Sequence, residues 1–205
     1  RSRGLGDVYK RQDIKNKKRY FCVHPCISID YNLIVMAKIL IIHSSVDGHT
    51  TQICERIRSV RDDLDIDIIS LSKTKNISLN DYGMIIIGAS IRYGKYRKEL
   101  FEFIDQNLST INSKKNAFFS VNVVARKVEK NSADTNPYIQ KFLLKTSWKP
   151  RIIDVFAGKI EYPKYNLFDR SIIKFIMWMT NGPTDTSKIY EFTDWSKVEN
   201  FSKNL

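Results

Sequence analysis

Apolar positions along residues 36–205 fall into short β-branched runs, and each run is followed by a segment of helical period. The spacing predicts a strand at 38–43 and a helix at 49–61, where Ile53, Ile57 and Val60 recur at i, i+4 and i+7. LDIDIISL at 64–71 reads as a strand with Leu64, Ile66 and Ile68 on one face. After a polar loop with a short helical turn, GMIIIGAS at 83–90 is apolar without alternation, as a strand buried on both faces should be. A helix at 97–108 places Leu100, Phe103, Ile104 and Leu108 against the sheet, and NAFFSVNVV at 116–124 is the fourth buried strand.

Asn136 and Pro137 suit the cap and first position of a helix at 136–146, and a fifth strand follows at 151–157. An insertion at about 161–187 precedes a further strand at 189–192 and a helix at 195–204 capped by Asp194. Strands and helices that alternate in this way build a parallel sheet covered on both faces, because right-handed crossovers need a connecting helix. Ligands of such sheets sit beyond the strand C-termini, where the strand order reverses. Three loops leave those ends, at 44–50, 88–96 and 120–127, each rich in small or polar residues.

The first loop closes AKILIIHSSVDGHTT, in which an apolar run stops at Ser44 and a helix follows at once. The first turn of a helix leaves backbone N–H groups unpaired at the positive end of the peptide dipoles, a place where phosphate fits. Gly48 allows close backbone approach, and Ser44, Ser45, Thr50 and Thr51 offer hydroxyls. Taken alone, Asp-Gly after a strand is also an ordinary turn. GxxxxGK[ST] and GxGxxG are both absent.

Composition narrows the field. With 205 residues and 42% hydrophobic content the chain can bury one good core, and its apolar runs are too short to span a bilayer. The net charge of +12 includes eight Lys/Arg against three Asp/Glu in residues 1–35, leaving +7 over residues 36–205, a balance that suits an anionic partner as well as a solvated basic face. Residues 1–35 show no sustained period, RSRGLGDVYKRQ reads like translated adapter sequence, and the native start is expected at Met36. They lack a secretory signal. Three cysteines are a sparse, odd set that fits a reducing compartment, with Cys54 a partly buried thiol. Cys22, His24 and Cys26 lack the second ligand pair of a structural zinc site, so no metal is expected.

SSVDGHT resembles the FMN phosphate loop of flavodoxins. GASIRYGKY at 88–96, SVNVVARK at 120–127, and TNPYIQKFL, SWKP, YPKYNLFDR, TDT and FTDW resemble a narrower group, the quinone-dependent protoporphyrinogen IX dehydrogenases, over nearly all of 37–203. The resemblance implies a flavodoxin-like doubly wound five-stranded sheet of order 2-1-3-4-5, with a long-chain-type insertion interrupting strand five. It implies FMN, oxidation of protoporphyrinogen IX, and a membrane quinone, menaquinone, as electron acceptor. Ser45, Gly48, His49 and Thr50 would hold the phosphate, with the amides from Val46 to Thr50. Asp47 stands where the generic loop has threonine and is expected to turn away and bond neighbouring amides.

Ser90, Ile91, Arg92, Tyr93 and Gly94 would form one flavin-flanking loop, with Tyr93 stacking on the isoalloxazine ring, and Asn122, Val123, Val124, Ala125 and Arg126 the other. Arg92, Lys95, Arg126 and Lys127 cluster there. Arg92 or Arg126 is expected to pair with substrate propionates or to stabilise negative charge on reduced flavin. In the insertion, Phe168, Ile172, Phe175, Ile176 and Met179 form an apolar stripe beside Lys164, Arg170 and Lys174, which suits peripheral contact of about 163–180 with an anionic membrane or a greasy substrate. The protein is then expected to be cytoplasmic, on the inner face of the cell membrane. A flavodoxin-like electron carrier or a general NAD(P)H:quinone reductase is the competing reading, and a nucleic-acid-binding module leaves the three loops unexplained.

Overall fold

The computed structural model describes residues 38–205. Five parallel strands, β1 (Ile39–Ser44), β2 (Ile66–Ser70), β3 (Met84–Ser90), β4 (Lys115–Val121) and β5 (Ile152–Phe156), lie in the order β2-β1-β3-β4-β5. Period-two alternation sends Ile39, Ile41, Ile86 and Phe119 to one face, under α1 (His49–Val60) and α5 (Trp195–Lys203). Leu40, Ile42, Ile87 and Phe118 go to the other, under α2 (Lys98–Ser113) and α3 (Pro137–Lys145). Each fully buried Ile or Phe contributes about 1.5–3 kcal/mol. Cys54 lies wholly inside the first of these cores, and burial pushes its thiol far up.

The caps form as the residue types require. Asn136 accepts from the amides of Tyr138 and Ile139, with Pro137 at the first position, and Asp194 accepts from the amide of Lys197. Several boundaries move. Helix α2 runs on to Ser113 because Ile111 is fully buried and supplies one more apolar turn. Strand β4 stops at Val121, since the Asn122 side chain accepts from Ala125 N at 3.1 Å and folds Val123–Arg126 into a 3-10 turn. Between β2 and β3 the chain makes two 3-10 turns, at Leu71–Asn76 and Leu79–Asp81.

The insertion follows strand five and does not interrupt it. Past Phe156 the chain leaves the sheet, and β6 (Lys159–Glu161) pairs antiparallel with β7 (Ile189–Glu191) in a separate ribbon. Between them lies α4 (Leu167–Met179). Ile160, Tyr162, Tyr165 and Met177 bury one another there, with Ile173, Tyr190 and, from the turn after β4, Val123 packed around them. No helix among the described residues is long and apolar enough to cross a membrane, and none of their side chains cluster as metal ligands. Cys22, His24, Cys26 and the expected start at Met36 fall outside the described residues.

Candidate functional site

The loop after β1 is built for an anion. Gly48 adopts φ 84°, and its amide donates to Ser45 Oγ at 3.1 Å, which curls the loop into the start of α1. Helix α1 has no side-chain cap and no acidic residue in its first turn, so its positive end is open. His49 is buried and lines the hollow beside this loop, 2.6 Å from Thr193 Oγ1 through Nε2 and 3.1 Å from the end of the Gln52 side chain through Nδ1. Thr193 gives its own proton to the Ala157 carbonyl at 2.8 Å, so it accepts from Nε2–H. Burial lowers the pKa of His49, the Gln52 contact offsets that in part, and the imidazole ties this loop to the segment before α5.

The loop after β3 is a tight hairpin. Arg92 and Lys95 exchange backbone hydrogen bonds at 3.1 Å each way, and both residues between them have positive φ, Tyr93 at 49° and Gly94 at 74°. Positive φ at both central positions is a type I′ turn, costly for an aromatic residue and one way that binding sites store strain. It projects Tyr93, half exposed, over the cleft. Ser90 Oγ donates to the Ser44 carbonyl at 3.0 Å, and Ile91 N donates to the Val121 carbonyl at 2.9 Å, so the three loops are fastened together.

Arg92 joins three elements. Nη1 donates to Asp47 at 2.7 Å, Nη2 donates to Asp169 of α4 at 2.7 Å, and the Tyr93 hydroxyl also bonds Asp169. Asp47 therefore does not turn back to neighbouring amides: a guanidinium 45 residues away neutralises it instead. Arg126 is also engaged. It donates to the Thr180 carbonyl at 2.8 Å, to Thr180 Oγ1 at 3.0 Å and to the Val123 carbonyl at 3.1 Å, capping the C-terminus of α4, where a cation is favoured. Burial lowers its pKa, and Glu129 offsets that in part.

Two adjoining hollows result. One, beside the first loop, is lined by Ser45–Asp47, His49, Thr50, Ser90 and Asn122. The other, more apolar, lies between Ile91, Tyr93, Val123 and Val124 on one side and Ile173, Ile176 and Met177 of α4 on the other. Asn122 lines both, but its amide also binds Ser120 Oγ at 3.1 Å and the Asn136 side chain. Ala125 and Arg126 line neither: Ala125 packs with Ile139, Val155 and Ala157. The sequence reading missed Lys159, Ile160, Tyr165 and Tyr138, which do line the cleft. It also missed the inward face of α4, signalled by Asp169, Ile173 and Met177 at i, i+4 and i+8.

Comparison with known proteins accords with this architecture. A flavodoxin-domain family matches residues 40–187. The protoporphyrinogen IX dehydrogenase [quinone] of Escherichia coli strain K12 is 41% identical over 170 residues, covering 82% of this chain and 94% of that protein. The chain belongs to this family. The Leishmania major protein named protoporphyrinogen IX dehydrogenase [quinone] is also 41% identical, over 82% of this chain and 74% of its own. A solved archaeal flavodoxin aligns with 82% of the chain and 94% of its own at 14% identity and a TM-score of 0.46.

For this protoporphyrinogen IX dehydrogenase family member, the two arginines make separable predictions. Arg126→Gln is expected to raise amide hydrogen exchange in the last turn of α4 and to lower turnover several-fold. Arg92→Gln leaves Asp47 and Asp169 without their guanidinium partner, so amide hydrogen exchange is expected to rise in the first loop and in the first turn of α4. Hydrogen-exchange mass spectrometry and turnover assays of the two variants check both.

Proposed function

We propose that this protein oxidises protoporphyrinogen IX to protoporphyrin IX with FMN as cofactor and a membrane quinone, menaquinone, as electron acceptor. The observation that carries the reading is the convergence of three fastened loops on an uncapped helix N-terminus beside an apolar slot, in a chain 41% identical to enzymes of that name.

The residues present fit FMN. A Cβ built on Gly48 meets no atom within 4 Å, so the space before the loop is open to a phosphate, and the nearest carboxylate, Asp47, is already paired. Ser45, Gly48 and Thr50, with the amides from Val46 to Thr50, would hold the phosphate; Tyr93 and Val123–Val124 would flank the ring. When bound, FMN supplies two-electron redox chemistry, so three rounds account for the six electrons lost by the substrate. The protein orients and excludes water: Ile173, Ile176 and Met177 close one side of the slot with apolar surface, and Arg92 holds that wall to the phosphate loop. Arg126 has no carboxylate partner among its hydrogen bonds, so its positive charge would favour a negatively charged group in the neighbouring slot.

Anaerobic addition of protoporphyrinogen IX to the FMN-loaded protein is expected to bleach the flavin, and a quinone to restore it. Bleaching by NADPH alone, without response to porphyrinogen, would overturn this in favour of a general reductase.

The outward face of α4 supports peripheral membrane contact. Leu167, Phe168, Phe175, Trp178 and Met179 are all more than half exposed, with Lys164 and Lys174 exposed beside them. Arg170 does not join that rim, since it donates to the carbonyls of Tyr162 and Tyr165. An aromatic face edged by lysines fits an anionic bilayer, where a quinone resides. Wild-type protein is expected to float with anionic liposomes and a Phe175→Asp, Trp178→Asp variant to stay at the bottom; equal flotation would remove membrane contact through this helix.

A further inference from the structure

The cations lining the cleft are already committed. Arg92 is held by two carboxylates, and Lys159 by Glu161 at 2.6 Å. A substrate with carboxylate side chains needs other partners, and a neighbouring groove between α2 and α3 offers them. Its walls carry Lys95, Lys141 and Lys145 over an aromatic floor of Tyr96 and Phe101, and no carboxylate lines it. It meets the cleft at Gly94 and Tyr138, which line both.

The floor is fixed in place. Tyr96 donates to Ser120 Oγ at 2.7 Å and packs edge-on against Phe101, Phe118 and Phe142. The Lys145 ammonium lies 4.3 Å from the centre of the Phe101 ring. On α3, Tyr138, Lys141 and Lys145 stand at i, i+3 and i+7, so one helix face presents a phenol and two ammonium groups in line. A Cβ built on Gly94 would lie 3.9 Å from the Tyr138 hydroxyl, which puts that hydroxyl at the junction of groove and cleft. Burial raises the Tyr138 pKa, so the phenol stays protonated and able to donate.

We propose that this groove is the subsite for the propionate side chains of the tetrapyrrole, with Lys95, Lys141 and Lys145 pairing with the carboxylates and the Tyr138 hydroxyl donating to the one nearest the flavin. The assignment rests on the porphyrinogen reading above. A flat amphiphile whose apolar part enters the slot walled by α4 and whose anionic edge lies along α3 matches both compartments, and ammonium groups on flexible stems accept a carboxylate without demanding bidentate geometry.

The test uses FMN-loaded protein and two unreactive probes, protoporphyrin IX and its dimethyl ester, titrated in mild detergent at two salt concentrations. Wild-type protein is expected to bind the diacid more tightly than the diester, with a preference that fades as salt rises. In the triple variant Lys95→Gln, Lys141→Gln, Lys145→Gln, all three sites being exposed, the diacid Kd is expected to rise about tenfold, as for three partly solvated charge pairs, while the diester Kd changes less than twofold. Tyr138→Phe alone is expected to weaken the diacid two- to fivefold. Equal binding of the two probes by wild type, no binding of either, or an unchanged diacid Kd in the triple variant overturns the subsite. If the diacid preference depends on these lysines but the flavin is not bleached by porphyrinogen, the subsite stands and the proposed reaction fails.

Discussion

Gly48→Val is expected to weaken FMN binding by about two orders of magnitude while leaving the fold in place. Two effects add. At φ 84° a β-branched residue is strained, by about 1–3 kcal/mol, and relieving that strain rotates the amides of the loop out of their common direction. The new methyl groups also enter the space before the loop, where a Cβ at this position touches no protein atom. Empty space there means that folding is hardly penalised by packing, so the loss falls on the ligand. Flavin fluorescence titration gives the affinity and thermal unfolding of the apoprotein gives the fold. An unchanged affinity would mean that the phosphate is held somewhere else, and the reading of the first loop would fail with it.

Much of this site is legible along the chain because it is local. A strand must stop where β-branched residues give way to Ser44–Gly48, a helix must start where Asn136 precedes Pro137, and both do. What escapes is whatever depends on groups distant in sequence. Asp47 was expected to satisfy itself within its own loop, yet it meets Arg92, and Arg92 also meets Asp169, 77 residues further on. Charge spacing does not encode such pairs; the sheet order does, by bringing the ends of β1 and β3 side by side. Likewise the His49 imidazole finds Thr193, 144 residues away.

Helix α4 illustrates the same limit within one element. Its sequence is apolar around most of its circumference, and Phe168, Phe175 and Met179 make a convincing stripe, but they face outward. The inward face is defined by Asp169, Ile173 and Met177, a polar residue among apolar ones, because the wall it builds must both line the slot and bond Arg92 and Tyr93. Hydrophobicity alone cannot choose between two apolar faces when one meets protein and the other does not. Position decides, and position is set by the ribbon of β6 and β7, whose pairing across the insertion is long-range.

The largest loss of stability from a single methyl group is expected at Gly88→Ala. Gly88 stands in β3 opposite Phe119 of β4, and a Cβ there would lie 2.2 Å from the tip of the Phe119 ring. That ring has no free direction to move: it is fully buried and packs on Phe156 at 5.4 Å and Phe201 at 5.9 Å, both also buried. Overpacking a closed core costs about 1–3 kcal/mol, occasionally more, and this site belongs at the upper end. For a chain of this size that corresponds to a fall in Tm of roughly 6–12 °C. Two comparisons separate the clash from a general intolerance of side chains on the sheet. Gly158→Ala, whose Cβ would meet only ordinary contacts at 3.6–3.7 Å, is expected to change stability by about 0.5 kcal/mol or less. Adding Phe119→Leu to Gly88→Ala is expected to recover part of the loss, since the shorter side chain vacates the contested space at the cost of some buried area. If the double variant is less stable than the sum of the two single changes predicts, the ring is not what Gly88 makes room for, and the packing account of this strand pair is wrong.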